Sequence, residues 1–284
     1  MEDMLLSSKE IIQRAIIEFK PKAIVMMLSG GDDSITAYMV AKQLGIKFDY
    51  VIHGKTGTGL EETTDYAIRF TENQGDKLIV ADAGFSYERY VLRKGFFGVG
   101  YDAHAMAYHI LKIEHFRKAV SHHLRKRRRN FPILFINGAR WQESQNRKRL
   151  KDNPYKQDPA QKNNIWVNII NDWSKDDCTD YLNGNSIKRN PVSVALCRSG
   201  ECFCGTMQNL EDYAAAKEFS PSWGRYMDSL RKEVMQKFPW DWGENINQQH
   251  LMEMKGQVRI DFQPMCEGCK VNYNQPPTQP NGLK

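Results

Sequence analysis

The chain lacks any apolar run of the roughly 20 residues needed to cross a bilayer, and no internal repeat is visible in its 284 residues. A signal peptide is also missing. The opening "MEDMLLSSKEIIQRAIIEF" is acidic at its start, and Ile12, Ile16 and Phe19 recur at helical spacing, so the segment reads as an amphipathic helix. These absences exclude a membrane partner and point to a cytoplasmic protein. Cysteine is sparse, six in all, and disulfides are disfavoured in that compartment, so the cysteines need another account. Charge of one sign is only mildly in excess. Lys and Arg number 40 against 34 Asp and Glu, a net +6 that leans toward polyanionic partners without requiring one.

What is present is a rhythm of short apolar runs and helical stretches. Strands are expected at Ala23 to Leu28, Phe48 to Ile52, Lys77 to Val80, Ile133 to Ile136 and Trp166 to Ile170. Helical spacing lies between them, at Ile35 to Leu44 and Glu62 to Asn73. Alternation of this kind predicts an α/β fold, a doubly wound parallel sheet that binds ligands at the carboxyl ends of its strands. A helical insert is expected over 102–129, ending in the basic run Arg125 to Arg129, and Ser174 is expected to cap a helix. The division expected is a nucleotide-binding α/β domain over 1–190 and a Cys-rich, metal-binding helical appendage over 191–284.

The first strand runs into "LSGGDDS". Two adjacent glycines let the backbone approach a ligand closely, and the next helix offers its free N–H groups and positive dipole end to an anion. The Walker pattern is absent, because no lysine follows the glycines. A plain capped turn is the alternative.

The residues Ser29, Gly30, Gly31, Asp33 and Ser34 form S-G-G-x-D-S, which resembles the PP-loop of the adenine-nucleotide α-hydrolase-like superfamily. "KTGTGLEET" (Lys55 to Thr63), "GARWQESQNR" (Gly138 to Arg147), "DWSKDDCTDYL" and "RNPV" resemble, in order and spacing, segments of the phosphoadenosine-phosphosulfate (PAPS) reductase family. The likeness runs over roughly residues 23 to 205. It implies ATP with Mg²⁺ or a related adenine nucleotide. Ser29, Asp33 and Arg140 are the implied catalytic residues, and Gly30, Gly31, Ser34, Thr56, Gly57, Glu143, Ser144 and Arg147 join them in binding the nucleotide. Arginine suits such an anion through its fork of donors. Arg140 and Arg147 would share one face if their stretch were helical.

Departures from the family pattern carry information too. Lys55 stands where the family has Asp, and Glu61 where it has Pro. The reductases' C-terminal E-C-G-[LI]-H motif, which carries the attacking thiol, is missing.

"CRSGECFCG" supplies Cys197, Cys202 and Cys204, and "CEGC" supplies Cys266 and Cys269. Two such clusters read as a metal site, and iron–sulfur and zinc both accept four thiolates. Relatives within the resemblance, the assimilatory adenylyl-sulfate reductases and the DNA phosphorothioation enzymes, carry a 4Fe–4S cluster, which is therefore the implied cofactor. Structural zinc, or redox and sulfur-relay thiols without metal, are the alternatives. Cys178 is expected to be a buried small hydrophobe.

Three functions stand at this point. One is an ATP pyrophosphatase that adenylates a substrate for sulfur transfer, in DNA phosphorothioation or nucleic-acid thiolation. The others are a sulfonucleotide reductase with a relocated thiol and a non-catalytic nucleotide-sensing subunit. Nucleic acid meeting the basic run, a sulfur-donor protein and a further copy of the chain are the partners considered.

Overall fold

The computed structural model describes residues 1–125, 131–158 and 161–254. Met1–Ile246 forms one compact unit, and the short helix at Gln248–Met254 belongs to a second.

The first helix, α1 (Glu2–Phe19), buries Ser8, Ile11, Ile12 and Ala15, a stripe at helical spacing, and ends at Lys20 in the left-handed conformation. Then β1 (Ala23–Met27), α2 (Asp32–Gln43), β2 (Tyr50–Lys55), α3 (Glu61–Asn73) and β3 (Leu78–Asp82) wind as two successive strand–helix–strand units. Helix α4 (Ser86–Lys94) leads to the insert, in which α5 (Tyr101–Tyr108) and α6 (Glu114–Val120) are each followed by a π-helical turn, His109–Ile113 and Ser121–Arg125. The chain returns through β4 (Ile133–Asn137), β5 (Tyr155–Gln157) and β6 (Asn164–Asn168) to α7 (Lys175–Gly184).

The six strands are ordered β3-β2-β1-β4-β6-β5, parallel except for the edge strand β5. This is the α/β sheet expected from the alternation, with β5 added. The last parallel strand sits two residues earlier than its apolar run suggested. The chain turns after Asn168, where the Asn171 N–H donates to the Asn168 carbonyl, and Ile169, Ile170 and Trp173 are buried beyond it.

Alternate strand residues feed two cores, as the period of two requires. Met26, Leu134, Ile136 and Val167 share one with buried residues of α1, α2 and α7, while Val25, Ile52, Ile133 and Phe135 share the other with Val120 of the insert. Ser174 caps α7 as expected: it accepts from the Asp177 N–H at 3.0 Å while Asp177 accepts from its own N–H at 2.8 Å.

Beyond residue 190, α8 (Pro191–Leu196) packs against α3, α9 (Leu210–Phe219) against α8, and α10 (Pro221–Met235) against α9 and α4. Aromatic side chains make the seam. Trp223 meets Phe203 and Tyr213 at centroid distances of 5.5 and 5.2 Å and donates its indole N–H to the Thr58 carbonyl. No described helix is long and apolar enough to cross a membrane.

Candidate active site

The turn after β1 is built by glycine geometry and short hydroxyl bonds. Gly30 has φ +80°, and a Cβ there would stand 2.9 Å from Thr63 Cγ2, so only glycine fits. Gly31 caps α2 with extended backbone. Ser29 Oγ donates to Ser34 Oγ at 3.1 Å, and Ser34 Oγ donates to the Gly31 carbonyl at 2.8 Å. The turn is locked from behind by Asn190, which is fully buried and caps α8. Its side-chain amide donates to the carbonyls of Gly30 and Ser199 at 3.0 and 3.1 Å.

Around the first turn of α2 lies a cleft of about 970 Å³, within which Ser29, Gly31, Asp33, Ser34, Arg140, Glu143 and Arg147 all appear. The glycine of "GAR" has a spatial reason. A Cβ on Gly138 would lie 2.4 Å from the Asp33 carbonyl oxygen, so this glycine lets the β4 loop rest on the α2 backbone.

Arginine–carboxylate pairs fill the floor. Arg140 Nη2 donates to Asp33 Oδ2 at 3.1 Å, and Arg189 Nε donates to Asp32 Oδ1 at 3.0 Å. Arg147 pairs with Glu143, and Glu143 also accepts from the Arg140 backbone N–H at 2.7 Å. Burial works against the Arg140 charge, but the hydrogen bond and charge of Asp33 outweigh it and raise its pKa. Arg140 Nε is buried with no hydrogen-bond partner. That is a donor waiting in a concave, cationic site. Lys175 also lines the cleft and is in no described ion pair.

Several expected site residues stand elsewhere. Thr56 is buried, donates to the Glu201 carbonyl at 2.7 Å, and lines with Gly57 a separate hollow of about 470 Å³. Ser144 is exposed and not part of the cleft wall. Arg140 and Arg147 do not share a helix face, because Arg140 precedes one short 3₁₀ turn and Arg147 lies in a second. Sequence reading missed Asp32, Arg189, Asn190 and Lys175. The first was one residue from a chosen aspartate, and "RNPV" carried the next two.

The two departures from the family pattern meet each other. Lys55 Nζ lies 2.7 Å from Glu61 Oε1 across the β2–α3 loop. Close behind, Gly59 has room for no Cβ, since one would stand 2.3 Å from the Glu201 carbonyl oxygen. The segments 55–63 and 199–203 therefore interlock.

Of the cysteines, Cys197 is exposed on the cleft's rim, at the left-handed end of α8. Cys202 and Cys204 form a pair in the loop behind it. Cys204 donates to Cys202, which lowers the Cys202 thiol below the ordinary range against the cost of burial, helped by Lys112 and by Thr58 Oγ1 at 3.5 Å. The Cys204 thiol is pushed up by that same bond and by burial. Cys178 is fully buried, and burial with the nearby Asp33 charge pushes its thiol up to about 12, as expected for a packing residue.

The pair suits two thiolate places at a metal, but no three Cys, His, Asp or Glu groups converge among the described residues. Cys266 and Cys269 lie outside them. Arg125 is spent on structure, donating to Gln161 and Asn164, and the rest of the basic run also lies outside the described residues.

Comparison with known proteins bears on this geometry. No curated protein matches the chain by sequence. Among solved structures, the PAPS reductase of Candida auris in a phosphate complex has a TM-score of 0.46 at 14% identity, covering 65% of this chain and 82% of its own. The U34-tRNA thiolase NcsA of Methanococcus maripaludis, with its [4Fe-4S] cluster, has a TM-score of 0.43 at 10% identity, covering 83% of this chain and 76% of its own. The phosphoadenosine phosphosulfate reductase domain matches residues 23–206, more than half of the chain and all of the PP-loop, GAR and RNPV segments. The chain thus belongs to the PAPS reductase family of the PP-loop superfamily, a family of enzymes.

Proposed function

We propose that the protein is an ATP pyrophosphatase that adenylates a nucleic-acid acceptor for sulfur transfer. The observation that carries this reading is the doubling of arginine–carboxylate pairs at the first turn of α2, Arg140 with Asp33 and Arg189 with Asp32. A triphosphate entering the cleft offers each arginine a better-matched anion, and each released aspartate becomes an oxygen ligand for Mg²⁺. The α2 N-terminus and the Ser29 hydroxyl then face the pyrophosphate. Lys175 adds a further positive charge to the cleft wall.

The chemistry follows from that placement. An acceptor oxygen attacks the α-phosphorus, the bond to the β-phosphate breaks, and pyrophosphate departs with the bonding electrons. The adenylated oxygen is then displaced by a sulfur nucleophile, releasing AMP.

Within the described residues Cys202 and Cys204 would offer a 4Fe–4S cluster two thiolate places; when bound, it would supply sulfur handling through iron–thiolate chemistry. The depressed Cys202 thiol suits such ligation, which requires thiolate. A second reading, sulfonucleotide reduction, is favoured by Cys197 on the cleft rim. The test is to incubate anaerobically purified protein with ATP and, separately, with PAPS. Pyrophosphate from ATP supports adenylation, whereas sulfite from PAPS with no pyrophosphate supports reduction.

A further inference from the structure

Beside the cleft lies a second cavity of about 190 Å³, roofed by the helical insert over the β1–β4–β6 face. Met27, Tyr108 and Trp166 belong to both walls, so the cavity is an annex of the cleft. A cavity of about 150 Å³ with apolar walls takes a benzene-sized ring, so the annex has room for one planar heterocycle. Its walls suit such a ring: Phe116, Phe135 and Trp166 are aromatic, with Phe135 and Trp166 stacked at 4.9 Å.

Polar groups at the edge would orient the ring. The Trp166 indole N–H has no hydrogen-bond partner among the described residues, and Arg117 at the annex is exposed and in no described ion pair. Lys112 also lines it, beside Glu201. The cleft alone, at about 970 Å³, is at the upper end of the size of whole ligand pockets, so a nucleotide does not need the annex.

We infer that the annex is an acceptor subsite that receives a single nucleobase from a polynucleotide and holds it beside the phosphate cleft. Charge complementarity names the polynucleotide. Between residues 112 and 129 the sequence carries eight Lys or Arg against one acidic residue, Glu114. Lys112 is paired with Glu201 and Arg125 binds Gln161 and Asn164, which leaves Arg117, exposed at the annex and in no described ion pair, to meet a phosphate beside an extruded base. The reacting atom would then be on the base, which makes base thiolation, rather than backbone phosphorothioation, the outcome of the adenylation proposed above. This inference rests on that reading's nucleic-acid acceptor. Binding measured without turnover nevertheless tests the annex separately from pyrophosphate release.

The experiment measures binding of short single-stranded homopolymers of each base, an abasic oligomer of equal length, and ATP. Base stacking in such a pocket strengthens binding on the order of tenfold over the abasic chain. Phe116→Ala removes one aromatic wall, and Ile113→Phe, which adds volume to the annex, serves if the first variant fails to fold. Both should lose the preference for base over abasic chain and keep ATP affinity within about twofold of the parent. Wild-type protein that binds abasic and base-bearing oligomers alike would overturn the inference. So would variants that lose ATP affinity while keeping the base preference, because the annex would then hold the nucleotide's own ring.

Discussion

The carboxyl edge of the sheet has two sides that were built differently. On the β1–β4 side, the family's letters are intact and sterically compulsory: Gly30 and Gly138 have no room for a Cβ, and Arg140 is poised on Asp33. On the β2 side the letters have changed. Lys55 and Glu61 replace the family pattern and pair with one another, while the 199–203 loop fills the space behind them. Where backbone touches backbone, the sequence has no freedom. Where side chains meet in solvent, a pair of changes compensates. The first side is where phosphate chemistry is expected to reside, and the second is where specificity can drift.

The largest effect should come from the constrained side. Gly138→Ala forces a methyl group onto the Asp33 carbonyl, so nucleotide turnover should fall below detection. Strain of this kind costs about 1–3 kcal/mol of stability, read by denaturant unfolding. Turnover retained in that variant would show that the β4 loop can leave α2 freely.

Next in size is Arg140→Lys, which keeps the charge and loses the fork of donors. Calorimetry should show ATP binding weakened by about 1–3 kcal/mol. Unchanged affinity would leave Arg140 as a partner of Asp33 alone.

Much of this side was legible in the primary structure, because S-G-G-x-D-S and G-x-R are local and their glycines are steric necessities. The parallel sheet was legible too, through the alternation of apolar runs with helical stretches, whereas the order of its strands comes from the structure alone. Arg189 was not legible, since its partner Asp32 lies 157 residues away. The aromatic seam joining Trp223 to Phe203 and Thr58 was equally hidden, because only the fold brings those segments together. Thr56 shows the converse: a residue correctly placed at the end of β2 turned inward to bind the Glu201 carbonyl.

A middle-sized prediction concerns the thiol pair between the two sides. In metal-free Cys197→Ser protein, the rate of Cys202 alkylation should rise with a midpoint below the roughly 8.5 of an ordinary thiol. Cys204→Ser exchanges the thiol donor for a hydroxyl and should change that midpoint. Because the folded pKa is depressed, the ionised thiol adds stability above its unfolded pKa, and this is lost as pH falls through the lowered folded value. A midpoint in the ordinary range would remove the special role given to Cys204 and Lys112.

The smallest effect belongs to the compensating pair. Lys55→Glu alone should cost roughly 0.2–1 kcal/mol, since both groups are partly exposed, and Lys55→Glu with Glu61→Lys should recover it. Failure of the double variant to recover would mean that the 199–203 loop, not the ion pair, dictates these positions.

The account's central claim is that the α2 carboxylates and their arginines exist to receive a magnesium-bound triphosphate. It is tested most directly by following pyrophosphate and AMP from ATP with wild-type protein and Asp33→Asn, with and without Mg²⁺. The account predicts Mg²⁺-dependent release of both products by the wild type, and a loss on the order of a hundredfold or more in the variant, as for removal of a group acting on the transition state. Equal turnover in the two proteins, or no pyrophosphate from the wild type beside sulfite release from PAPS, would contradict it.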